Sequence, residues 1–383
     1  MPTPRRLAFL LEDFSLAGPS TAMGQPTPNP IRSTPAQQLV DRLLLGYPYQ
    51  GEFRSPRHQV VSVFAILGVG ESELRTRTQR GMRIFSTAED AVRAADDVLI
   101  VPRGVGAVAT EDLTRIALNE APNGARIFVY GALANTLATA TEFYQQAELR
   151  DQTLIAGSTL STPWLLPPID APQGVGMKEA LIVVQGAWPY AELFGVEGIL
   201  PVLERRRGRE AGIQSLRSLE GPALWHAGKN GEWSARLLAS ALSRSHTPQG
   251  DAIKDGRTQD LIGLGLVPKL AVSPRAWQWT HVDGLRTTLL ILDGVVADFN
   301  FALELQDRSI FSAQIFRAPP PAEHHYGPLA FALEDFFASG RRPWSRTRET
   351  NTVILLEWMR SAAGRSGRWL TLTPFPQEGA ANK

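Results

Sequence analysis

Continuous apolar runs alternate with amphipathic stretches through residue 160. LAFLL at 7–11, HQVVSVFAIL at 58–67, RIF at 83–85, DVLIVP at 97–102, RIFVY at 126–130 and TLIAGS at 153–158 read as strands. AQQLVDRLLL at 36–45, SELRTRTQRG at 72–81, TAEDAVRAA at 87–95, TEDLTRIALNEA at 110–121 and the residues leading up to Leu149 have helical spacing. Thr34, Thr87 and Thr110 stand where N-caps belong. Gly18 to Pro35 holds too many prolines for a helix. Strands that are apolar throughout, each followed by a helix, predict a parallel sheet covered on both faces. With right-handed crossovers this is a doubly wound, Rossmann-like domain over 1–160.

The rhythm changes after residue 160. EALIVVQG at 179–186 reads as a strand and VEGILPVLERRRG at 196–208 as a helix. GPALWHAGKNGEWSARLLASALSR at 221–244 reads as a loop rich in Gly and Trp. From Ala276 to Leu305 the pattern is that of hairpin strands, with Asp-Gly turns at 283–284 and 293–294, and SIFSAQIFRA extends the series. These predict an α+β domain over 161–326 with a large, mostly antiparallel open sheet. PLAFALEDFFASG and TNTVILLEWMRSAAG predict C-terminal helices, within 327–383, that pack back on the two domains.

Composition narrows the function classes. The chain has 383 residues, no cysteine and a formal net charge of +1. Disulfides, thiolate nucleophiles and Cys-ligated metals are excluded. A near-zero charge supplies no field for nucleic acid or membrane. The basic run Glu204–Arg207 is expected to be a solvated helix end. The apolar run at Leu7–Leu11 is too short for a signal segment, and no run has the length of a membrane span, so a soluble cytoplasmic protein is expected. No nucleophile-elbow, Walker, zincin or EF-hand spacing is present. His324-His325-Tyr326 places neighbouring histidines on opposite faces of an extended chain, and no metal site is expected there.

Three segments carry a resemblance. NGARIFVYGALANT at 123–136 is similar to a strand–turn–helix that in the Gfo/Idh/MocA family (glucose–fructose oxidoreductase, inositol dehydrogenase) reads G-x-x-V-x-x-E-K-P-x-A. DDVLIVPRG at 96–104 resembles that family's preceding strand, D-x-V-x-I-x-x-P, and residues 333–372 resemble its closing helices. The resemblance covers nearly the whole chain. It implies a Rossmann domain followed by an open-sheet domain, oligomerisation through the open face, and, as the family default, an NAD(P)-dependent oxidoreductase acting on a sugar or polyol.

The departures cluster in the family's catalytic apparatus. The first strand runs into EDFSLAGPSTAMGQP, not into G-x-G-x-x-G, and the second ends without an acid at the ribose position. Tyr130-Gly131-Ala132 fills the E-K-P slot, so the lysine is absent. The D-x-x-x-H pair aligns with Tyr190 and Phe194. These losses predict a degenerate member that binds a peptide or a sugar-like polar metabolite as an accessory to a modifying pathway. No cofactor and no hydride transfer are expected. The alternative is an NAD(P)-dependent oxidoreductase whose dinucleotide site survives in the Gly18–Pro35 loop, or a non-redox lyase or isomerase. Tyr130, Trp164, Trp188, Tyr190 and Phe194 are expected to line an interdomain cleft as ligand contacts, joined by Arg257. Lys254 and Asp255 are the acid–base candidates of an enzymatic version. The runs AWQWTH at 276–281 and LLILDGVV at 289–296 offer an apolar face for a homodimer.

Overall fold

The protein is described from a computed structural model, which covers residues 4–12, 34–66, 81–102, 108–186, 190–247, 260–319 and 323–372. In chain order the elements begin with β1 (Arg6–Leu11), α1 (Pro35–Leu45), a hairpin of β2 (Tyr47–Tyr49) and β3 (Glu52–Arg54), β4 (Gln59–Ala65), β5 (Arg83–Ile84) and α2 (Ala88–Arg93). β6 (Asp97–Val101), α3 (Val108–Glu120), β7 (Arg126–Tyr130), α4 (Leu137–Leu149) and β8 (Thr153–Gly157) follow. β9 (Leu165–Leu166), β10 (Met177–Val184), α5 (Ala191–Leu203), β11 (Ile213–Glu220), α6 (Gly221–Lys229), α7 (Ala235–Leu242) and α8 (Val267–Leu270) come next. The chain closes with β12 (Val272–His281), β13 (Arg286–Asp293), β14 (Phe299–Leu305), β15 (Ile310–Ile315), α9 (Gly327–Ser339), α10 (Arg346–Arg360) and β16 (Leu370–Thr371).

Two compact units result: residues 1–162 with 317–345, and residues 163–316 with 346–383. The first holds a six-stranded sheet in the order β5-β4-β1-β6-β7-β8, every pair parallel. Strand order reverses at β1, which pairs with β4 on one side and β6 on the other. This is the expected doubly wound, Rossmann-like sheet. β1 and β6 are fully buried, or nearly so, from Leu7 and from Asp97 onward, which is why their sequences lack alternation. Helices α1 and α9 cover one face, joining Leu39, Leu43, Leu329, Leu333 and Phe336 to Phe9, Leu99 and Phe128 in a single core. Thr34 caps α1 in a full capping box with Gln37, and Thr87 caps α2. Thr110, expected to be a cap, lies inside α3, which starts at Val108; its carbonyl accepts from the Thr114 hydroxyl.

The second unit holds an eight-stranded sheet in the order β16-β11-β12-β13-β10-β14-β15-β9. It is antiparallel except between β10 and β13. The Asp-Gly turn at 283–284 closes the β12–β13 hairpin, with Gly284 at φ +85°. The second expected hairpin does not form. β10 inserts between β13 and β14, so the turn at 293–294 starts a crossover, with Gly294 at φ +80° against the Leu270 carbonyl. The segment 221–244, expected to be a loop, carries α6 and α7. Gly228, which broke the pattern, gives the Trp233 ring room to lie against α6, and Ser234 caps α7. Helices α6, α7 and α8 cover one sheet face around Leu181, Ala276, Leu290 and Leu292. Leu289 packs against Gly195 of α5 on the other.

Of the runs expected to offer an apolar face, Trp277, Trp279 and Leu289 to Leu292 are buried. The basic run after α5 is solvated only in part, with Arg207 exposed. Arg206 is buried on Asp283 at 2.7 Å, and Glu204 pairs with Arg348 of α10. Among the described residues no helix is long and apolar enough to cross a membrane.

Candidate active site

In open α/β sheets ligands bind outside the carboxyl ends of the strands where strand order reverses. Here that edge is formed by Leu11 and Glu12 after β1, Ala65 and Ile66 after β4, Pro102 after β6, Tyr130 and Gly131 after β7, and Ser158 after β8. The strands stay in register to the end: the Glu12 N–H donates to the Val101 carbonyl at 3.3 Å, Ile66 to Leu11 at 3.0 Å and Gly131 to Gly157 at 2.8 Å. Gly131 has φ +96°, a backbone that side-chain-bearing residues rarely adopt. The position where the resembling family carries lysine is therefore set here by the turn that ends β7.

Tyr130 leads into a buried polar cluster. Its hydroxyl bonds to Tyr326, and both residues are nearly inaccessible. His324–Tyr326 forms a single 3-10 turn ahead of α9, which buries His325 and leaves His324 exposed. The His325 ring lies 4.7 Å from that of Tyr326, and the Arg42 guanidinium sits 5.6 Å from the Tyr326 ring centre on the α1 side. Arg42 is itself buried. It donates to the Gln38 carbonyl and side chain and, at 3.1 Å, to the Glu323 carbonyl. The Gln38 amide in turn donates to the Glu323 carboxylate at 2.9 Å. These bonds hold Glu323 at φ +39°, a left-handed conformation unfavourable for a residue with a side chain.

Burial shapes the chemistry of this cluster. His325 is 4% exposed, yet neither ring nitrogen has a hydrogen-bond partner among the described residues. An unsatisfied buried polar group costs on the order of 1–3 kcal/mol and calls for an explanation. Its pKa is pushed down to about 3, first by burial and then by the charges of Arg317 and Arg42, so the ring is neutral. Ala318's carbonyl opposes that shift without reaching hydrogen-bond geometry. Tyr326 is pushed well above the usual phenol range by burial and by Tyr130, so it keeps its proton.

The other expected ligand contacts divide. Tyr130 belongs to the first unit; Trp164, Tyr190 and Phe194 belong to the second. Tyr190 and Phe194 come together at the start of α5, five residues before the expected helix start, with rings 6.3 Å apart; Phe194 continues onto Phe299 at 6.2 Å. Trp164 is 41% exposed and edge-on to Phe316. Trp188, Lys254, Asp255 and Arg257 lie outside the described residues, as does the Gly18–Pro35 loop up to residue 33. The HHY triplet, His325 and Tyr326 were not singled out as ligand groups by the sequence; only the adjacency of two histidines and a tyrosine hinted at them. Among the described residues no three His, Cys, Asp or Glu side chains gather to hold a metal.

No known family's sequence profile matches the chain, and no curated protein matches it. Solved structures do. The chain is similar to myo-inositol dehydrogenase from Lactobacillus casei, in complex with NAD(H) and myo-inositol, at 10% identity and a TM-score of 0.58, covering 98% of this chain and 99% of that one. It is similar to GenD2 from gentamicin A biosynthesis, in complex with NAD, at 11% identity and a TM-score of 0.57, with 97% of each chain covered. It is also similar to a Synechocystis biliverdin reductase in complex with biliverdin and NADP+, at 14% identity and a TM-score of 0.50, covering 93% of this chain and 98% of that one. The chain shares the fold of these solved structures over nearly its whole length. The expectation that no cofactor is involved is corrected on this ground: the structures that share the whole fold hold NAD(H), NAD or NADP+.

The described residues fit a dinucleotide in part. The strand order reverses at β1, where such sheets take ligands, and Tyr130 at the end of β7 carries a hydroxyl bonded to Tyr326. The first turn of α1 does not offer the open N-terminus on which a pyrophosphate rests. Pro35 lacks an N–H, and the Thr34 hydroxyl already takes the Gln37 N–H at 3.2 Å.

Proposed function

We propose that the chain is an NAD(P)-binding oxidoreductase acting on a hydroxyl or carbonyl group of a polar, sugar- or polyol-like substrate. The observation that carries this reading is the end-to-end correspondence of both units with nucleotide-bound oxidoreductases. A nicotinamide nucleotide, when bound, accepts or delivers the hydride. The chain's own work is to hold the substrate oxygen and move its proton. Tyr130 is the group for the second task, since it stands one residue before the slot in which the resembling family carries its lysine. Tyr326 keeps its own proton and donates to the Tyr130 hydroxyl, so it stabilises negative charge there when Tyr130 gives up its proton. His325 is neutral, with both ring nitrogens unsatisfied among the described residues, and can hydrogen-bond a ligand group without adding charge. With Gly131 at the lysine slot and Tyr190 and Phe194 where the family has acid and histidine, this apparatus differs from the family's own. A second reading, a polar-ligand binder in which the bound nucleotide is not turned over, is favoured by the closed first turn of α1.

Titration of NADH and NADPH, followed by nicotinamide fluorescence, tests the first part, and turnover of a sugar and polyol panel tests the second. We expect saturable binding of one nucleotide, and a fall of about 100-fold in kcat for Tyr130→Phe with nucleotide affinity unchanged. Absence of binding at millimolar nucleotide overturns the reading. Tight binding without turnover favours the second reading.

A further inference from the structure

The second unit contains a separate cavity of about 200 Å³ on the face of its sheet that α6 and α7 cover. Three rows of side chains run across β11, β12 and β13 on this face. The innermost, Leu219–Ala276–Leu290, is part of the apolar core. The next, Arg217–Gln278–Thr288, and the outermost, Ser215–Thr280–Arg286, are polar. Alternation along the strands predicts these side chains on one face. It does not predict that a cavity forms over them, closed by Glu232 beyond α6 and by Trp369, which β16 brings to the sheet edge.

The donors around this cavity are fixed but not all used. Gln278 is buried and fully committed. Its amide nitrogen donates to the Glu232 carbonyl at 2.9 Å and to the Thr288 hydroxyl at 3.2 Å, and its oxygen accepts from Arg217 Nε at 2.8 Å. Arg217 Nη2 reaches Gln278 and the Glu232 carboxylate, and the Trp369 ring stacks 4.7 Å from the guanidinium carbon. The guanidinium plane is thus held on three sides, while Nη1 has no acceptor among the described residues. Arg286 gives Nη2 to Glu179 at 2.9 Å and likewise leaves Nε and Nη1 without acceptors there. Thr288 accepts from Gln278 and keeps its own proton to donate. Both guanidiniums of the lining are ion-paired, Arg217 with Glu232 and Arg286 with Glu179, and each keeps N–H groups to donate.

We propose that this cavity binds a small-molecule carboxylate, gripped between Arg217 Nη1 and the open edge of Arg286, with Thr288 as a third donor. A guanidinium whose plane is already fixed by stacking and hydrogen bonds loses little freedom on accepting a planar anion. At roughly 30 Å³ per water, the cavity has room for several waters or one small organic acid. The site uses no residue of the first unit, so it stands or falls independently of the nucleotide reading.

The test is a titration of the full chain with succinate, followed through the indole N–H resonance of Trp369, against sodium chloride at equal ionic strength and against sulfate. The proposal predicts saturable shifts with succinate alone. Arg286→Gln, whose side chain is half exposed, should weaken binding about tenfold with an unchanged unfolding temperature. Arg217→Lys should weaken it at least as much, because a point charge cannot replace the fork. Succinate shifts no larger than those of chloride, equal saturation by sulfate, or undiminished binding by Arg286→Gln would each overturn the assignment.

Discussion

His325 makes the most direct residue-scale statement about pH. Its folded pKa of about 3 lies below the ordinary 6.5, and that of the almost wholly buried His281 is lowered by burial to about 4. Below about pH 6.5 the unfolded chain binds protons at both rings that the folded chain refuses, so stability is full above that pH and falls as pH drops toward about 4. Thermal unfolding followed across that window should show the midpoint falling. His325→Leu should reduce the slope, because one of the three buried rings with a lowered pKa (His58, His281 and His325) no longer titrates. A slope unchanged in His325→Leu would mean the ring is protonated, or exposed, in the folded state. A second residue-scale test concerns Gly157 at the end of β8. A methyl there would stand 2.5 Å from the Ser161 hydroxyl and 2.7 Å from the Trp344 ring. Trp344 is pinned by its indole N–H, which donates to the Ala156 carbonyl at 2.9 Å, so it cannot retreat. Gly157→Ala should lower stability by about 1–3 kcal/mol in denaturant unfolding.

At the scale of elements, Asp97 opens β6 and organises one end of the parallel sheet. It is fully buried, and its carboxylate accepts from Arg5 Nε at 2.7 Å, Arg5 Nη2 at 2.6 Å and the Arg126 N–H at 2.8 Å. It thereby ties the residues before β1 to the start of β7. Because Arg5 is a third exposed, Asp97→Ala should cost about 2 kcal/mol, less than for a fully buried pair. Thr34→Ala, which removes half of the α1 capping box, should cost about 1 kcal/mol, read by the same unfolding measurement. Elements of this kind were legible in the sequence. Runs such as DVLIV and RIFVY are apolar because both faces are buried, and threonine caps announce themselves locally. What was not legible depended on distant partners. The Gly- and Trp-rich stretch at 221–244 folds as two helices because Trp233 packs into the space left by Gly228. The second Asp-Gly turn gives no hairpin because β10, about a hundred residues earlier in the chain, takes the place beside β13. Of the candidate cluster, Tyr130 was placed at a strand end, where the structure has it. His325 and Tyr326 were missed because nothing local to HHY signals a 3-10 turn that buries one histidine against α1 and β7 residues.

At the scale of the molecule, the parallel sheet and the large mixed sheet have the fold of solved structures that hold a nicotinamide nucleotide. Which group moves a proton is decided by side chains. The crevice where strand order reverses is a property of topology. The most direct measurement of the central claim is hydrogen–deuterium exchange with and without saturating NADH. The account predicts protection at the carboxyl ends of β1, β4, β6 and β7, around residues 11–12, 65–66, 101–102 and 130–131, with the second unit's sheet unchanged. Protection absent from these four strand ends at saturating nucleotide, or confined to other parts of the chain, would contradict it.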